Sequence, residues 1–160
     1  MRLGAHVSAS GGLDKAIDRG QEMGAETIQI FCSSPQGWAF NPISEEQTNT
    51  FREKAKSAGI GPCFLHGIYL VNIGSQNPDN LHRGVESLIN YLHVAHDIGA
   101  AGAIFHAGSH KGLGFDGIFR QAVESLRRVL DNTPEDSWLI IENSAGMGHH
   151  IGSRFSEIGR

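Results

Sequence analysis

The segment AIFHAGSH, residues 103–110, gives the clearest indication of the fold of this chain. Residues 103–105 form a short apolar run, which is typical of a strand buried on both faces of a parallel sheet. His106 follows this run directly, and a second histidine, His110, comes shortly after a glycine. Because parallel α/β proteins build their functional sites at the carboxyl ends of the strands, this order predicts a functional histidine at a strand end.

Three other apolar runs end in the same way, on a side chain that can bind a metal or transfer a proton. His6 follows LGA, His66 follows CFL and Glu142 follows LII, whereas a further strand-like run at 27–31 has no such residue. Longer amphipathic stretches separate these runs, and this alternation predicts βα units around a parallel sheet. We therefore expect five parallel strands in sequential order, with the polar residues side by side at the carboxyl ends of the strands.

The boundaries of the helices follow from capping signals. Ser44, with Gln47 three residues later, has the spacing of a capping box. Glycines after the helical stretches are typical C-terminal stops. The sequence predicts helices that begin near Leu13, after Ser44, at Asp79 and near Asp116, and that end near Gly24, Gly59, Ile98 and Leu130. The SASGG segment before the first helix lacks the spacing of a Walker or dinucleotide motif, so we interpret it as a tight turn rather than a phosphate cradle.

The composition is that of an ordinary globular domain. The chain has 160 residues, of which 39% are hydrophobic and 19% are charged, and no apolar stretch is long enough to span a bilayer. The N-terminus lacks the pattern of an export signal, so we expect a cytoplasmic protein with Cys32 and Cys63 as reduced core thiols. A net charge of −4 argues against a generally basic nucleic-acid binder, so a polyanionic partner would need a local basic patch or bound metal ions.

Two imidazoles and a carboxylate at equivalent strand ends favour a divalent transition metal, because these groups are the usual zinc ligands in catalytic sites. We predict that His66, His106 and Glu142 converge on one metal ion, with His6 nearby. A single histidine at a strand end is more often a structural hydrogen-bonding residue, and Glu142 could instead be a helix cap or a loop carboxylate. The interpretation of Glu142 as a helix cap or loop carboxylate is weaker, because the apolar run WLII would then place an unpaired carboxylate at the end of an apolar strand.

The remaining histidines carry weaker signals. His82, His93 and His96 lie on the third predicted helix, and we interpret them as solvated surface residues. His149 and His150 lie in GMGHHIG, a loop after the fifth strand, and their role stays open.

Four segments together resemble a known family. GAHVSASGGL, HGIYLVNIGS, FHAGSH and IIENSAGMG are similar, in order and spacing, to the endonuclease IV family of apurinic/apyrimidinic endonucleases. The resemblance covers the chain from Arg2 to about Phe155 and corresponds to the first half, or somewhat more, of a family member. It implies a xylose-isomerase-like TIM barrel, incomplete here with about five parallel βα units, and residues 1–160 as the N-terminal portion of that single barrel.

The resemblance also implies a reaction and the residues that carry it. The family uses up to three zinc ions to hydrolyse the phosphodiester bond 5′ to an abasic nucleotide in duplex DNA, as one step of base excision repair. By resemblance, His66 and His106 bind one zinc ion, and Glu142 bridges it to a second. Tyr69 and Leu70 match the pair that the family wedges into the duplex at the lesion.

Four further residues are expected to contact DNA. One of them lies at a departure from the family pattern, because the usual arginine beside the tryptophan of SSPQGW is replaced by Gln36 or Gly37. The expected additional DNA contacts are Gln36, His6, Ser109 and His110.

Two other interpretations stay open. A sugar isomerase or epimerase with the same fold would also place histidine and glutamate at strand ends, although the YLVN and FHAGSH segments favour the endonuclease. The third is a non-catalytic half-barrel. The chain stops at RFSEIGR, where Phe155 and Ile158 are spaced as the first turn of a helix. We therefore expect a fragment with impaired activity, whose exposed sheet edges promote self-association.

Overall fold

The computed structural model describes every residue of the chain, Met1–Arg160, and consists of alternating strands and helices. The strands are β1 (Gly4–His6), β2 (Thr27–Ile30), β3 (Cys63–His66), β4 (Gly102–His106) and β5 (Trp138–Glu142). The helices are α1 (Asp14–Glu22), α2 (Glu45–Ala58), α3 (Pro78–Ile98), α4 (Gly114–Asp131) and α5 (Phe155–Ile158). No helix combines the length and the apolar character needed to cross a membrane.

The strands form one sheet in the order β1-β2-β3-β4-β5, and every neighbouring pair is parallel. This confirms the predicted topology. Four of the five strands end on the polar residue expected from the sequence, namely His6, His66, His106 and Glu142. His106 pairs directly with Glu142 in the register of β4 and β5, so their side chains leave the sheet on the same face at the same level.

The four long helices lie close to the predicted ranges, and α2 and α3 carry clear caps at both ends. Ser44 and Gln47 form the expected capping box at the start of α2. At the start of α3, the Asn77 side chain accepts hydrogen bonds from two backbone N–H groups of the first turn. Pro78, which follows Asn77 directly, is a residue suited to this turn. Gly59 and Gly99 end α2 and α3 with φ of 66° and 70°, a left-handed conformation that glycine adopts without strain.

The core lies between the sheet and the helices. Along β3 and β4, the residues that face the helices are buried, and Leu65, Ala103 and Phe105 have no exposed surface. Tyr91 of α3 and Phe51 of α2 pack into the same cluster. Removing a buried aromatic side chain of this kind costs about 3–5 kcal/mol, so this layer fixes the strands whose ends carry the polar residues.

The opposite face of the sheet is less buried than the sequence predicted. A continuous apolar run such as WLIIE is typical of a strand buried on both faces, yet Trp138 is 73% exposed and the rest of β5 is only partly buried. Phe64 and Ile104 on the same face are also partly buried. The physical reason is that no helix packs against this face of the sheet, and that β5 is an edge strand.

Candidate metal centre

The ends of β3, β4 and β5 bring His66, His106 and Glu142 together as predicted. One ligand atom from each residue lies within 4.8 Å of the other two. Nε2 of His66 is 3.1 Å from Oε2 of Glu142, and Nε2 of His106 is 3.9 Å from the same oxygen. The parallel register produces this cluster, because three neighbouring strands end at the same edge.

The hydrogen bonding of His66 determines which ring nitrogen faces the cluster. Nδ1 lies 2.8 Å from the carbonyl oxygen of Gly67, which can only accept, so Nδ1 carries the proton. In the neutral form of the ring, Nε2 is then an acceptor that faces the acceptor oxygen of Glu142. Two facing acceptors need a proton or a cation between them. A carbonyl that orients the distal nitrogen of a histidine is the usual support for a metal ligand, and this donor set fits a divalent metal.

The site is closed on one side and open on the other. The His66 side chain is 6% exposed, whereas those of His106 and Glu142 are 44% and 42% exposed. A structural zinc site is normally enclosed by four protein ligands, and a catalytic site has three with one open position. Three candidate ligands at the open carboxyl ends of the strands have the number and exposure of the catalytic type.

His6 lies beside the three residues and has a different role. Its ring centroid is 5.9 Å from that of His66, and Nδ1 accepts a hydrogen bond from Nε2 of Gln29 at 2.9 Å. Burial lowers the pKa of His6, the nearby His66 lowers it further, and Glu142 opposes this shift. The ring is therefore neutral near pH 7, with its proton on Nε2, and can donate one hydrogen bond to a bound molecule.

A cleft of about 520 Å³ opens next to His6 at the ends of β1 and β2. Ser8, Ser10, Ser33 and Ser34 provide hydroxyl groups in its wall. Arg19 donates hydrogen bonds to the carbonyl oxygens of Ser8 and Ser10, which stabilises the predicted tight turn after β1. The lining contains no charged side chain, so the cleft offers neutral hydrogen-bond donors beside the candidate metal ligands.

The loop after β3 exposes two of the expected DNA-binding residues. Tyr69 is 57% exposed and Leu70 is 37% exposed, whereas Val71 and Ile73 of the same loop are buried. The loop is therefore exposed at Tyr69 and Leu70, and its later apolar residues belong to the core. Gln36 is exposed, and the residue before it, Pro35, accepts a backbone hydrogen bond from Tyr69. Three of the expected DNA contacts, Gln36, Tyr69 and Leu70, therefore lie together on one exposed surface, which we call the rim.

His110 has a structural role that sequence reasoning missed. Its Nδ1 accepts hydrogen bonds from the backbone N–H groups of Gly112 and Gly114, at 3.3 and 3.1 Å. The side chain of Leu113, the N-cap residue of α4, makes no capping bond, so His110 supplies the missing cap. The ring of His149 lies 5.1 Å away, centroid to centroid. A histidine two residues before a GxG segment is a weak signal for such a cap.

The surface histidines of α3 are exposed, as expected, but two of them form long-range hydrogen bonds. His93 donates to the carbonyl oxygen of Asn132, at 3.0 Å. Nδ1 of His96 lies 2.8 Å from the carboxylate of Asp136. These contacts attach the loop before β5 to α3. Only the folded chain brings these residues together, so their spacing along α3 gives no sign of the contacts.

The two cysteines do not take part in the site. Both are free thiols, with Cys63 buried and Cys32 partly buried. Burial raises the pKa of Cys32 to about 12 and that of Cys63 to about 11, so both stay protonated near neutral pH. This agrees with the expectation of core thiols.

Comparison with known proteins identifies the family. The sequence model described as "Xylose isomerase-like TIM barrel" matches residues 17–160. The chain is 34% identical to the probable endonuclease 4 of Methanosphaerula palustris, over 100% of this chain and 57% of that protein. It is also similar to the crystal structure of endonuclease IV from Thermus thermophilus, with a TM-score of 0.85, 30% identity and coverage of 99% of this chain and 57% of the other.

The apo form of 3-keto-D-glucoside 4-epimerase from E. coli shares the fold, with a TM-score of 0.75, but is only 16% identical, so this likeness concerns the fold alone. The chain thus spans a little over half the length of the curated relatives that it matches, 57% in the first of them. The resemblance to endonuclease IV is confirmed over this part. The order of strands, their shared polar edge and the match over residues 17–160 agree: the chain belongs to the xylose isomerase-like TIM barrel family.

Proposed function

We propose that the chain carries part of the active site of a zinc-dependent phosphodiesterase that cleaves duplex DNA 5′ to abasic sites in base excision repair. The observation that carries the proposal is the open group of His66, His106 and Glu142, in which two imidazole nitrogens and a carboxylate lie within 4.8 Å of one another. The relatives named endonuclease 4 support this reaction over the sugar isomerase alternative, because the epimerase likeness concerns the fold alone.

The three residues would hold zinc through Nε2 of each histidine and the carboxylate of Glu142. Zinc bound there would lower the pKa of a bound water and neutralise charge on a phosphate group. A carboxylate has two oxygens, so Glu142 can serve two ions, as expected if the complete barrel holds up to three. The further ligands would come from outside this chain.

Residues around the ligands would bind and orient the nucleic acid. The neutral His6 donates from Nε2 into the space beside the ligands, and the serine hydroxyls of the neighbouring cleft add further donors. Tyr69 and Leu70 present apolar surface to solvent at the rim. Inserting such side chains into a base stack costs a few kcal/mol, and least where a base is already missing, which favours an abasic site.

The charge of the protein makes the metal important for DNA binding. With a formal net charge of −4, the chain as a whole does not attract a polyanion. Metal ions bound at the carboxyl ends of the strands would supply the positive charge that the protein lacks. We propose a cytoplasmic location for this activity, where Cys32 and Cys63 would stay reduced.

We also propose that the chain self-associates through its sheet edges. β1 and β5 each have only one neighbour in the sheet, so each leaves one edge without a partner strand. Unpaired strand edges are templates for pairing with another chain.

The test combines metal content with the position of the cut. Zinc is measured by elemental analysis in the wild-type chain and in His106→Ala, with His82→Ala as a matched control because His82 lies exposed on α3. We expect bound zinc in the wild type and in the control, and a clear loss in His106→Ala. Equal zinc content in all three chains would contradict the proposed site.

Incision is measured on a duplex that contains one stable abasic analogue, against the same duplex with an intact base. The chain is assayed alone and with the remaining C-terminal part of the M. palustris relative, which this chain's match leaves uncovered. We expect little activity from the chain alone and zinc-dependent cleavage 5′ to the lesion in the mixture. Cleavage 3′ to the lesion, or equal cleavage of the intact duplex, would contradict the proposed reaction.

A further inference from the structure

The loops after β3, β4 and β5 are joined to one another beyond the end of the sheet. The backbone N–H of Ile73 donates to the carbonyl of Ala107 at 3.1 Å, and that of Ile151 donates to the carbonyl of Gly108 at 2.9 Å. The chain that follows His106 is therefore held on one side by the loop after β3 and on the other by the loop after β5.

Asn72 is the side chain at the centre of this junction. Its Oδ1 accepts hydrogen bonds from the backbone N–H groups of Gly74, at 3.0 Å, and of Ser109, at 2.9 Å. The β3–β4 ladder ends at the pair of His66 and Ile104, so Ser109 lies beyond any partner residue in β3. The side-chain carbonyl of Asn72 takes the place that a backbone carbonyl of a longer β3 would have had.

Two glycines allow this close contact. Gly108 has a φ of 91°, and a Cβ atom there would overlap Oδ1 of Asn72. A Cβ atom on Gly74 would lie 2.7 Å from the carbonyl oxygen of Ser109, closer than real Cβ atoms approach. The loops after β3 and β4 are therefore in close contact at two points, and at Gly108 the neighbouring group is the Asn72 side chain.

The two candidate histidine ligands differ in how they are held. His66 is almost fully buried, and its ring is oriented by the carbonyl of Gly67. The His106 side chain is 44% exposed, and its nearest polar contact is Glu142 at 3.9 Å, too long for a hydrogen bond. No hydrogen bond orients the His106 ring, so its direction depends on its packing against the His66 ring, 5.2 Å away between centroids, and on the backbone that carries it.

We propose that Asn72 is a positioning residue for the metal centre: by accepting the Ser109 N–H and packing against Gly108, it fixes the backbone that follows His106 and hence the separation of the two imidazole nitrogens. This inference rests on the metal site proposed above. Asn72 also belongs to the loop that exposes Tyr69 and Leu70, so one side chain links that rim to the candidate ligands. It acts through His106 and does not itself bind the metal.

Cobalt(II) titration tests the inference, because the visible absorption of cobalt reports the number and geometry of its ligands. Asn72→Ala is expected to lower cobalt affinity about tenfold or more and to change the spectrum, as the loss of a residue that supports a ligand typically does. Asn72→Asp retains oxygen acceptors at the same position and is expected to restore both readouts. Asn72→Ser, whose side chain is too short to reach both N–H groups, replaces Asn72→Ala if that variant does not fold.

Asn77→Ala is the matched control. Oδ1 of Asn77 also accepts two backbone N–H groups, those of Asp79 and Asn80, but it does so at the start of α3. We expect this variant to lose thermal stability without any change in the cobalt spectrum or affinity. If Asn72→Ala, or Asn72→Ser in its place, binds cobalt like the wild type, Asn72 is merely structural and the inference is wrong. A wild-type chain that binds no cobalt would overturn the metal site itself, and this inference with it.

Discussion

His66 and Glu142 are 76 positions apart in the chain, and Nε2 of the first lies 3.1 Å from Oε2 of the second. In the neutral form of His66 the single ring proton is used by the carbonyl of Gly67, so both facing atoms are then acceptors. Their approach is unfavourable without a proton or a cation between them. A metal ion between the two atoms would remove this repulsion. The exposed His106 adds a third group that could bind the same ion.

Replacing Glu142 by glutamine should separate metal binding from stability. The amide of Glu142→Gln can donate a hydrogen bond to Nε2 of His66, so we expect the metal-free variant to be at least as stable as the wild type. Zinc at about 100 times its Kd would stabilise the wild type by about 2.7 kcal/mol, and the variant should lose most of this gain. Thermal unfolding with and without zinc measures both effects.

The matched control for this prediction is Glu124→Gln. Glu124 is an exposed carboxylate of α4 that pairs with Arg120, remote from the candidate ligands. It should respond to zinc like the wild type. If zinc raises the Tm of Glu142→Gln as much as that of the control, Glu142 is not a ligand.

Tyr69 and Leu70 should matter for DNA and little for folding. Leu70→Ala should change the free energy of unfolding by no more than about 0.5 kcal/mol. Tyr69→Ala should cost about 0.5–1.5 kcal/mol, because the exposed ring also contacts Phe31 and His66. Ile73→Ala, in the buried half of the same loop, should cost about 2–5 kcal/mol. Urea unfolding measures these differences. Binding to a duplex with an abasic analogue should weaken for the first two variants, and unchanged binding in both would exclude a wedge role.

The sequence was informative about the site because the site is built from strand ends. Each of His66, His106 and Glu142 directly follows a short apolar run, and parallel strands place such ends at one edge. Both the strand order and the convergence of the three residues could be predicted from this pattern alone. The capping box of α2 was equally local, since Ser44 and Gln47 are only three residues apart.

Contacts between loops could not be predicted in this way. The bond from Ser109 to Asn72 joins residues 37 positions apart, and the contact of His96 with Asp136 joins residues 40 apart. Neither follows from a period or a motif, because each depends on where two irregular segments meet after folding. The partial exposure of β5 was also missed, since an apolar run has the same composition in a central strand and in an edge strand.

Loss of the His110 cap should destabilise α4. His110→Ala leaves the N–H groups of Gly112 and Gly114 without their acceptor, and we expect a cost of about 0.5–2 kcal/mol, as for other N-caps. His110→Asn offers an oxygen acceptor and should recover part of the loss. Chemical denaturation compares these variants with His149→Ala, which removes the neighbouring ring but no cap. Equal stability of His110→Ala and the wild type would show that the cap contributes nothing.

The edge strands should govern the association state. Trp138 is 73% exposed on β5, one of the two edge strands, so Trp138→Lys places a charge where another chain would pair. We expect the wild-type chain to self-associate and this variant to shift towards monomer, as measured by light scattering during size-exclusion chromatography. Leu130→Lys is the control, because Leu130 is 54% exposed on α4, away from the sheet edges. The C-terminal part of the M. palustris relative should compete for the same edges, lowering self-association while zinc per chain rises. A wild-type chain that stays monomeric at its highest soluble concentration would show that the edges do not pair.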